Sequence, residues 1–159
     1  MAKVSEKLFK IFVYGTLKNG EFNHSLLTNA NNGFARYLGE GKTVEKYPLI
    51  IGTRFNIPFL LDKCGRGQNV RGEVYEVDEE MLKKLDELEE YPEYYDRELQ
   101  DIKMEKREEV TKCWLYLMRN CPDHLLQKPL LNSYHSSTEF PYKPRSERDS
   151  NINIKDEMI

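Results

Sequence analysis

The feature that most constrains the fold of this chain is a single amphipathic helix between Asp78 and Pro92. Asp78 is a suitable N-cap, and Glu79 and Glu80 follow it in the first turn, where the helix dipole favours negative charge. The helix has to end before Pro92, because a residue that precedes proline is pushed out of the α region. The sequence therefore predicts a helix that runs from the residue after Asp78 to about Glu90.

Short apolar or alternating segments surround this helix and are typical of strands. The segment ARYLGEGKTVEKYPLIIG predicts two strands, broken at Gly39, Gly41 and Pro48. The other candidate strands are LFKIFVYGT, which stops at a glycine, the short run in FNIPFLL, the alternating NVRGEVYEV, and a late pair, YYDRELQDIKME and EVTKCWLYLM. Together with short helical turns at HSLL and DHLLQ, these segments indicate an α+β fold in one domain.

The composition argues against several classes of function. A chain of 159 residues with 39% hydrophobic and 32% charged residues has the make-up of one soluble globular domain. A net charge of −3 gives no basic face for nucleic acid. The apolar runs are too short to span a membrane, and MAKVSEKLFK is too charged for a signal peptide. We therefore expect a cytosolic monomer with neither a nucleic-acid nor a membrane partner.

The potential metal ligands of the cysteine and histidine types are few and scattered. The odd number of cysteines, without a CxxC spacing, is typical of reduced thiols in a cytosolic protein. These residues predict neither a disulfide framework nor a zinc site. They are Cys64, Cys113, Cys121, His24, His124 and His135.

Glu89 stands apart from the other acidic residues of the predicted helix. On a helical wheel of about 100° per residue, Glu89 lies within about 60° of Leu85. The same arc holds Met81, Leu82 and Leu88. Desolvation on such a face raises the pKa of a carboxyl group towards the range useful for proton transfer. The wheel leaves two interpretations open: Glu89 faces a cavity as a general base, or the last turn unwinds and Glu89 reaches water or an arginine.

The neighbouring acidic side chains point elsewhere on the same wheel. Glu87 lies nearly opposite Leu85, whereas Asp86 and Glu90 lie at or beyond the edges of the apolar arc. Of the six acidic residues in MLKKLDELEEYPEYYDR, we therefore expect five to be solvated or to flank a strand.

A tight loop follows the first predicted strand in the segment VYGTLKNG. Gly15 allows the backbone to approach a ligand closely, and consecutive N–H groups at a strand end can hold an anion such as a carboxylate. A plain β-turn is the commoner interpretation of one glycine at this place. The loop is not a phosphate-binding loop, since neither GxGxxG nor GxxxxGK[ST] is present.

Three segments in sequence order resemble the gamma-glutamylcyclotransferase-like family: FVYGTLKNGEFNH, VRGEVYEVDEEMLKKLDELE and YDR. Within that family, the branch that acts on γ-glutamylamines is the most similar, on the basis of GKTVEKYPLIIGTRFNIPFLL, NSYHS and YKPRSER. The resemblance predicts a domain over 8–148 and leaves 149–159 as a disordered C-terminal tail. The polar composition of the last fifteen residues, RSERDSNINIKDEMI, itself predicts fraying.

The resemblance implies a small mixed β-barrel flanked by helices, and it assigns roles to particular residues. Glu89 is implied to be the catalytic residue. Tyr95 and Arg97 match a Tyr-x-Arg element of the family and are expected to support the site. Tyr134 belongs to a segment expected to help close the pocket. The implied substrate-binding loop is Tyr14, Gly15, Thr16 and Leu17.

The family's reaction needs no metal and no cofactor. The α-amine of a γ-glutamyl group attacks its own γ-carbonyl and gives 5-oxoproline and a free amine, with Glu89 as general base and then general acid. For this branch the expected partner is a small-molecule substrate, γ-glutamyl-ε-lysine, left by proteolysis of transglutaminase-crosslinked proteins. Two alternatives stay open: the same chemistry on γ-glutamyl-α-amino acids, and a non-catalytic relative that binds a small metabolite.

Overall fold

The computed structural model describes residues 7–139 and 141–148. Its helices are α1 (His24–Thr28) and α2 (Glu79–Leu88), with short 3-10 helices at Ala30–Asn32, Asp123–Gln127 and Arg145–Glu147. Its strands are β1 (Phe9–Val13), β2 (Ala35–Tyr47), β3 (Leu49–Gly52), β4 (Ile57–Leu60), β5 (Gln68–Val77), β6 (Asp96–Met104) and β7 (Val110–Leu117).

Five of these strands form a closed barrel in the order β1-β5-β2-β6-β7, while β3 and β4 form a separate two-stranded hairpin. The barrel pairs are antiparallel except where β1 runs parallel to β7, at Ile11 and Trp114. The prediction of an α+β fold with a small mixed barrel and flanking helices is confirmed.

Strand β2 is longer than the sequence pattern predicts. It continues through Gly39 and Gly41 and ends only before Pro48, so the predicted breaks at the two glycines are wrong. At Gly39 the backbone has a φ of 139° beside a shift in the register with β5, which accommodates a bulge without ending the strand. At Gly41 a Cβ atom would lie 2.8 Å from Ile102 Cγ2, so the missing side chain allows β6 to pair closely.

Helix α2 begins as predicted and ends slightly earlier. The Asp78 side chain accepts a hydrogen bond from the Met81 N–H at 2.9 Å, which confirms the predicted N-cap. The helix ends at Leu88, with Glu89 as its C-cap. Glu90 has a φ of 52°, in the left-handed region, and cannot continue the helix.

Buried residues form two clusters, one on each side of the barrel wall. The first includes Phe12, Val74 and Leu115, and its members come from all five barrel strands, so it fills the barrel interior. The second packs the outer face of β1 against α2 and the hairpin, and includes Ile11 and Leu85. Because residues alternate along β1, this strand contributes to both clusters.

The C-terminal segment is ordered further than its composition predicts. Lys143 N–H donates to Phe55 O at 2.9 Å, and Asn56 Nδ2 donates to Pro141 O at 2.8 Å. These bonds hold 141–148 against the loop that joins β3 to β4, so the predicted fraying is wrong for 145–148. The predicted disordered tail, 149–159, lies outside the described residues.

The described residues contain neither a membrane-spanning helix nor a cluster of metal ligands. None of the helices in 7–139 and 141–148 has the length and apolar character needed to cross a membrane. The same part of the chain holds no group of three or more histidine, cysteine, aspartate or glutamate side chains placed to bind a metal ion. Cys64, Cys113 and Cys121 are free thiols, of which the last two are buried.

Candidate active site

A cavity of about 280 Å³ opens beside the end of β1, between the β3–β4 hairpin and the C-terminal end of α2. Buried tyrosines, Tyr14, Tyr95 and Tyr116, form its inner wall. Phe22 and Glu90 are exposed and lie at its rim. The cavity is therefore closed at the barrel wall and open towards solvent.

This cavity brings together most of the residues that the sequence singled out. Arg97 does not line it and lies behind the wall formed by Tyr116. Tyr134 is 1% exposed and belongs to the cluster inside the barrel, away from the cavity lining. The predicted site residues that do line the cavity are Tyr14, Gly15, Thr16, Leu17, Glu89 and Tyr95.

The loop after β1 owes its shape to close packing and to one asparagine. A Cβ atom on Gly15 would lie 2.9 Å from Pro58 Cγ, which leaves room only for glycine at this position. Asn23 N–H donates to Thr16 O at 2.8 Å, and Asn23 Nδ2 donates to Thr16 Oγ1 at 2.9 Å. The loop is a tight turn, since Lys18 N–H donates to Gly15 O at 3.1 Å.

The same loop also presents backbone donors. Within the described part of the chain, the N–H groups of Gly15, Thr16 and Leu17 donate to no protein acceptor. Neighbouring N–H groups of this kind can bind a carboxylate or an oxyanion. The two interpretations of the loop, a turn and an anion site, are therefore compatible.

Glu89 is the C-cap of α2 and lines the cavity, where it is half-buried. Its N–H donates to Leu85 O at 3.0 Å, so the helical geometry extends to its backbone nitrogen. Burial raises the pKa of Tyr14 well above its ordinary value, and the Glu89 carboxylate raises it further. The pKa of Tyr95 is also raised, mainly by burial and further by the neighbouring Tyr14 and Glu89. Glu89 therefore faces the tyrosine wall of the cavity.

The hydroxyl groups of the tyrosine wall are neutral and already engaged. Tyr14 donates to Tyr116 O at 2.6 Å, and Tyr95 donates to Pro58 O at 3.3 Å. The Tyr116 hydroxyl donates to Asp86 Oδ1 at 2.6 Å, and burial together with this bond raises the pKa of Tyr116. These tyrosines shape the cavity, and the carboxylates that line it are those of Glu89 and Glu90.

Asp86 is part of this support, and its predicted exposure is wrong. Arg97 Nε donates to Asp86 Oδ1 at 2.9 Å, and the exposed fractions of the two side chains are 14% and 21%. The Arg97 guanidinium also lies over the rings of Tyr91 and Trp114, at 4.5 and 4.6 Å. The helical wheel placed Asp86 at the edge of the apolar arc, and in the structure β6 and β7 cover that edge.

The C-terminal segment supplies cavity residues that pattern analysis did not identify. The Tyr142 hydroxyl accepts hydrogen bonds from Asn23 Nδ2 at 3.3 Å and from Arg148 Nη2 at 3.1 Å. Tyr142, Asn23 and Arg148 all line the cavity. In the sequence, Tyr142 and Arg148 belong to YKPRSER and Asn23 belongs to FVYGTLKNGEFNH. Both segments contributed to the family resemblance without assigning these three residues a role.

The fold and the cavity together define a small barrel protein with a carboxylate at a helix end beside a loop of backbone donors. The sequence model of the family described as "Gamma-glutamyl cyclotransferase, AIG2-like" matches residues 11–136. The chain therefore belongs to this family, which confirms the resemblance of the sequence segments.

Similar proteins cover almost the whole chain. A Drosophila melanogaster protein, provisionally named as a gamma-glutamylcyclotransferase, is 55% identical over 158 residues, covering 99% of both chains. The gamma-glutamylaminecyclotransferase of Bos taurus is 41% identical over 146 residues, which are 91% of this chain and 87% of that one. The crystal structure of an AIG2-like protein from Mus musculus has a TM-score of 0.84 at 38% identity, covering 89% of this chain and 99% of that chain.

Proposed function

We propose that this protein is a gamma-glutamylamine cyclotransferase, which closes the γ-glutamyl group of a γ-glutamylamine to 5-oxoproline and releases the amine. The observation that carries the proposal is that Glu89 and the loop from Tyr14 to Leu17 line one cavity. The bovine relative, 41% identical, is named for this activity. The expected substrate is γ-glutamyl-ε-lysine, which gives lysine as the released amine.

Substrate binding depends on the loop after β1. The N–H groups of Gly15, Thr16 and Leu17 are suited to the α-carboxylate of the γ-glutamyl group or to the oxyanion that forms during attack. The volume of about 280 Å³ matches a small, largely enclosed ligand. The apolar surfaces of Tyr14 and Tyr95 border the space available to the folded glutamyl chain.

The chemical step needs one group that can take and return a proton. The α-ammonium of the substrate gives a proton to the Glu89 carboxylate, and the resulting amine nitrogen attacks the γ-carbonyl carbon. A bond between nitrogen and that carbon closes the five-membered ring. The bond from the same carbon to the leaving nitrogen then breaks, and Glu89 returns the proton to that nitrogen. The ring nitrogen still carries two hydrogens after the attack and loses one of them as a proton to water, while the released neutral amine takes up a proton from water. The products are therefore 5-oxoproline and an ammonium ion.

Orientation supplies much of the rate enhancement in such a reaction. The nucleophile and the carbonyl belong to the same molecule, so the enzyme mainly has to hold the chain folded for attack. Tyr14 and Tyr95, with their hydroxyls bound to Tyr116 O and Pro58 O, form a wall of fixed shape for this purpose. Glu89 is then the acid–base group of the inner cavity.

The test is an assay of the purified protein with γ-glutamyl-ε-lysine and, in parallel, γ-glutamyl-alanine, with 5-oxoproline measured by mass spectrometry. We expect both compounds to give 5-oxoproline and the free amine in equal amounts. The lysine compound should be turned over faster. Faster turnover of γ-glutamyl-alanine would assign the protein to γ-glutamyl-α-amino acids. A rise in melting temperature with 5-oxoproline, but no turnover of either compound, would show a non-catalytic binding protein.

A further inference from the structure

Arg148 gives the rim of the cavity a positive charge. Arg148 is a basic residue that lines the cavity, and the acidic residues Glu89 and Glu90 line it as well. Arg148 as a whole residue is half-buried. An arginine in this position is suited to a carboxylate, which it can bind through two parallel hydrogen bonds.

Contacts on several sides hold the guanidinium in place. Arg148 Nε donates to Lys143 O at 2.8 Å, and Nη2 donates to the Tyr142 hydroxyl at 3.1 Å. The group also lies over the rings of Phe55 and Tyr142, at 5.3 and 5.6 Å from their centroids. These two hydrogen bonds use two of the five N–H donors of an arginine. Counted over the described residues, the remaining donors leave capacity for an anionic ligand.

The position of Arg148 along the cavity indicates which part of a ligand it meets. The loop from Tyr14 to Leu17 lies at the inner wall, next to buried tyrosines. Arg148 lies with the C-terminal segment at the rim, near Phe22, which is 59% exposed. If the loop holds the γ-glutamyl carboxylate, as the proposed function has it, the rim faces the leaving amine.

We propose that Arg148 binds a free carboxylate on the leaving amine of the substrate. This inference rests on the proposed function and specifies its substrate class: a γ-glutamylamine whose amine half is a free amino acid, such as γ-glutamyl-ε-lysine. A lysine still linked within a peptide chain has no such carboxylate and is disfavoured. Arg148 is thus a specificity-determining residue supplied by the C-terminal segment.

One further contact connects the two carboxylate sites. The Tyr142 hydroxyl that accepts from Arg148 also accepts from Asn23, and Asn23 holds the backbone and side chain of Thr16. The guanidinium and the loop after β1 are therefore held in one hydrogen-bonded arrangement. Tyr142 and Asn23 link the two sites.

The experiment compares two substrates that differ by a single group. γ-Glutamylcadaverine is γ-glutamyl-ε-lysine with hydrogen in place of the lysine carboxylate. KM and kcat are measured for both compounds with the wild type, Arg148→Ala, Arg148→Lys and Arg66→Ala. Arg66 is exposed and does not line the cavity, so its variant is the matched control for loss of a positive charge.

We expect Arg148→Ala to raise KM for γ-glutamyl-ε-lysine about tenfold, the effect of one lost charge-assisted interaction, and to leave KM for γ-glutamylcadaverine within about twofold. Arg148→Lys should recover part of the loss, and Arg66→Ala should match the wild type. Because KM does not depend on the fraction of active protein, partial unfolding of a variant does not mimic this pattern.

Two outcomes overturn the inference while leaving the proposed function intact. One is an equal rise in KM for both substrates, which would place Arg148 at the γ-glutamyl half or in the fold. The other is wild-type kinetics of Arg148→Ala with both substrates. A wild-type protein that turned over neither compound would overturn the proposed function, and this inference with it.

Discussion

The Asp86 carboxylate binds both the Arg97 guanidinium and the Tyr116 hydroxyl, at 2.9 and 2.6 Å, and so joins helix α2 to strands β6 and β7. The backbone oxygen of the same Tyr116 accepts from Tyr14 at 2.6 Å. Asp86 therefore supports the inner wall of the cavity from behind, one turn before the helix position that carries Glu89.

Replacing Glu89 by glutamine tests the proposed base. A glutamine side chain keeps the shape of glutamate but cannot accept a proton at neutral pH, so we expect kcat for 5-oxoproline release to fall about 10²- to 10⁴-fold. Melting temperature should stay near that of the wild type. Glu87→Gln is the control, because Glu87 is exposed and its carboxylate forms a 3.7 Å surface pair with Lys84. Near wild-type turnover by Glu89→Gln would mean that another group is the base.

Asp86→Asn tests the support behind the cavity. The change weakens two charge-assisted bonds to partly buried groups, and we expect the free energy of unfolding to fall by about 1–3 kcal/mol. Activity should fall as well, though less than in Glu89→Gln, because the Tyr116 wall loosens while the base stays. Urea denaturation measures the stability, and the assay above measures the activity.

Asp101→Asn is the matched control for that change. Asp101 pairs with Lys112 at 3.0 Å, but the two side chains are 47% and 68% exposed. Loss of such a surface pair should cost less than about 1 kcal/mol. Equal destabilisation by the two substitutions would contradict a supporting role for Asp86.

Gly15→Ala tests the packing of the loop after β1. A Cβ atom 2.9 Å from Pro58 Cγ forces the loop or the hairpin to move, and we expect a loss of about 1–3 kcal/mol in stability together with a raised KM. Pro58→Ala removes Cγ and leaves Pro58 Cβ, which lies at an ordinary 3.5 Å. In a double-mutant cycle, Gly15→Ala should therefore cost less in the Pro58→Ala background. Strict additivity would exclude this contact as the cause.

We expect Asp96 to contribute to the free energy of unfolding in a way that depends on pH. Burial acts to raise the pKa of Asp96, but hydrogen bonds from the Arg119 guanidinium and the Arg97 N–H outweigh it and hold the pKa below the ordinary 3.8. A carboxyl group with a lowered pKa in the folded state stabilises the fold above its unfolded-state pKa. That contribution is lost as the pH falls through the folded-state pKa.

The measurement is the difference in unfolding free energy between the wild type and Asp96→Asn across pH 7 to pH 2. The difference should be constant above about pH 5 and should shrink below about pH 4. Because the Asp96 and Arg119 side chains are 35% and 34% exposed, its full size should be below about 1 kcal/mol. A difference that did not change with pH would show that the Asp96 charge is not responsible.

Local sequence pattern was sufficient to predict the features of the fold that depend on interactions between residues close together in the chain. The cap at Asp78, the seven strand segments and the position of Glu89 on the apolar face of α2 all follow from periodicity and capping within a few residues. The same reasoning failed at Gly39 and Gly41, because a glycine that ends a strand and one that admits a neighbouring strand look alike in a single sequence.

By itself, the sequence determined the α+β class, the helix that carries Glu89 and the family resemblance. The tertiary structure alone decided which side chains meet: Asp86 with Tyr116, which are 30 positions apart, and Asn23 with Tyr142, which are 119 apart. The physical reason is the distance along the chain over which each kind of interaction acts. Caps and periodicity act within one or two helical turns, whereas the walls of the cavity come from barrel closure and from the return of the C-terminal segment across its rim.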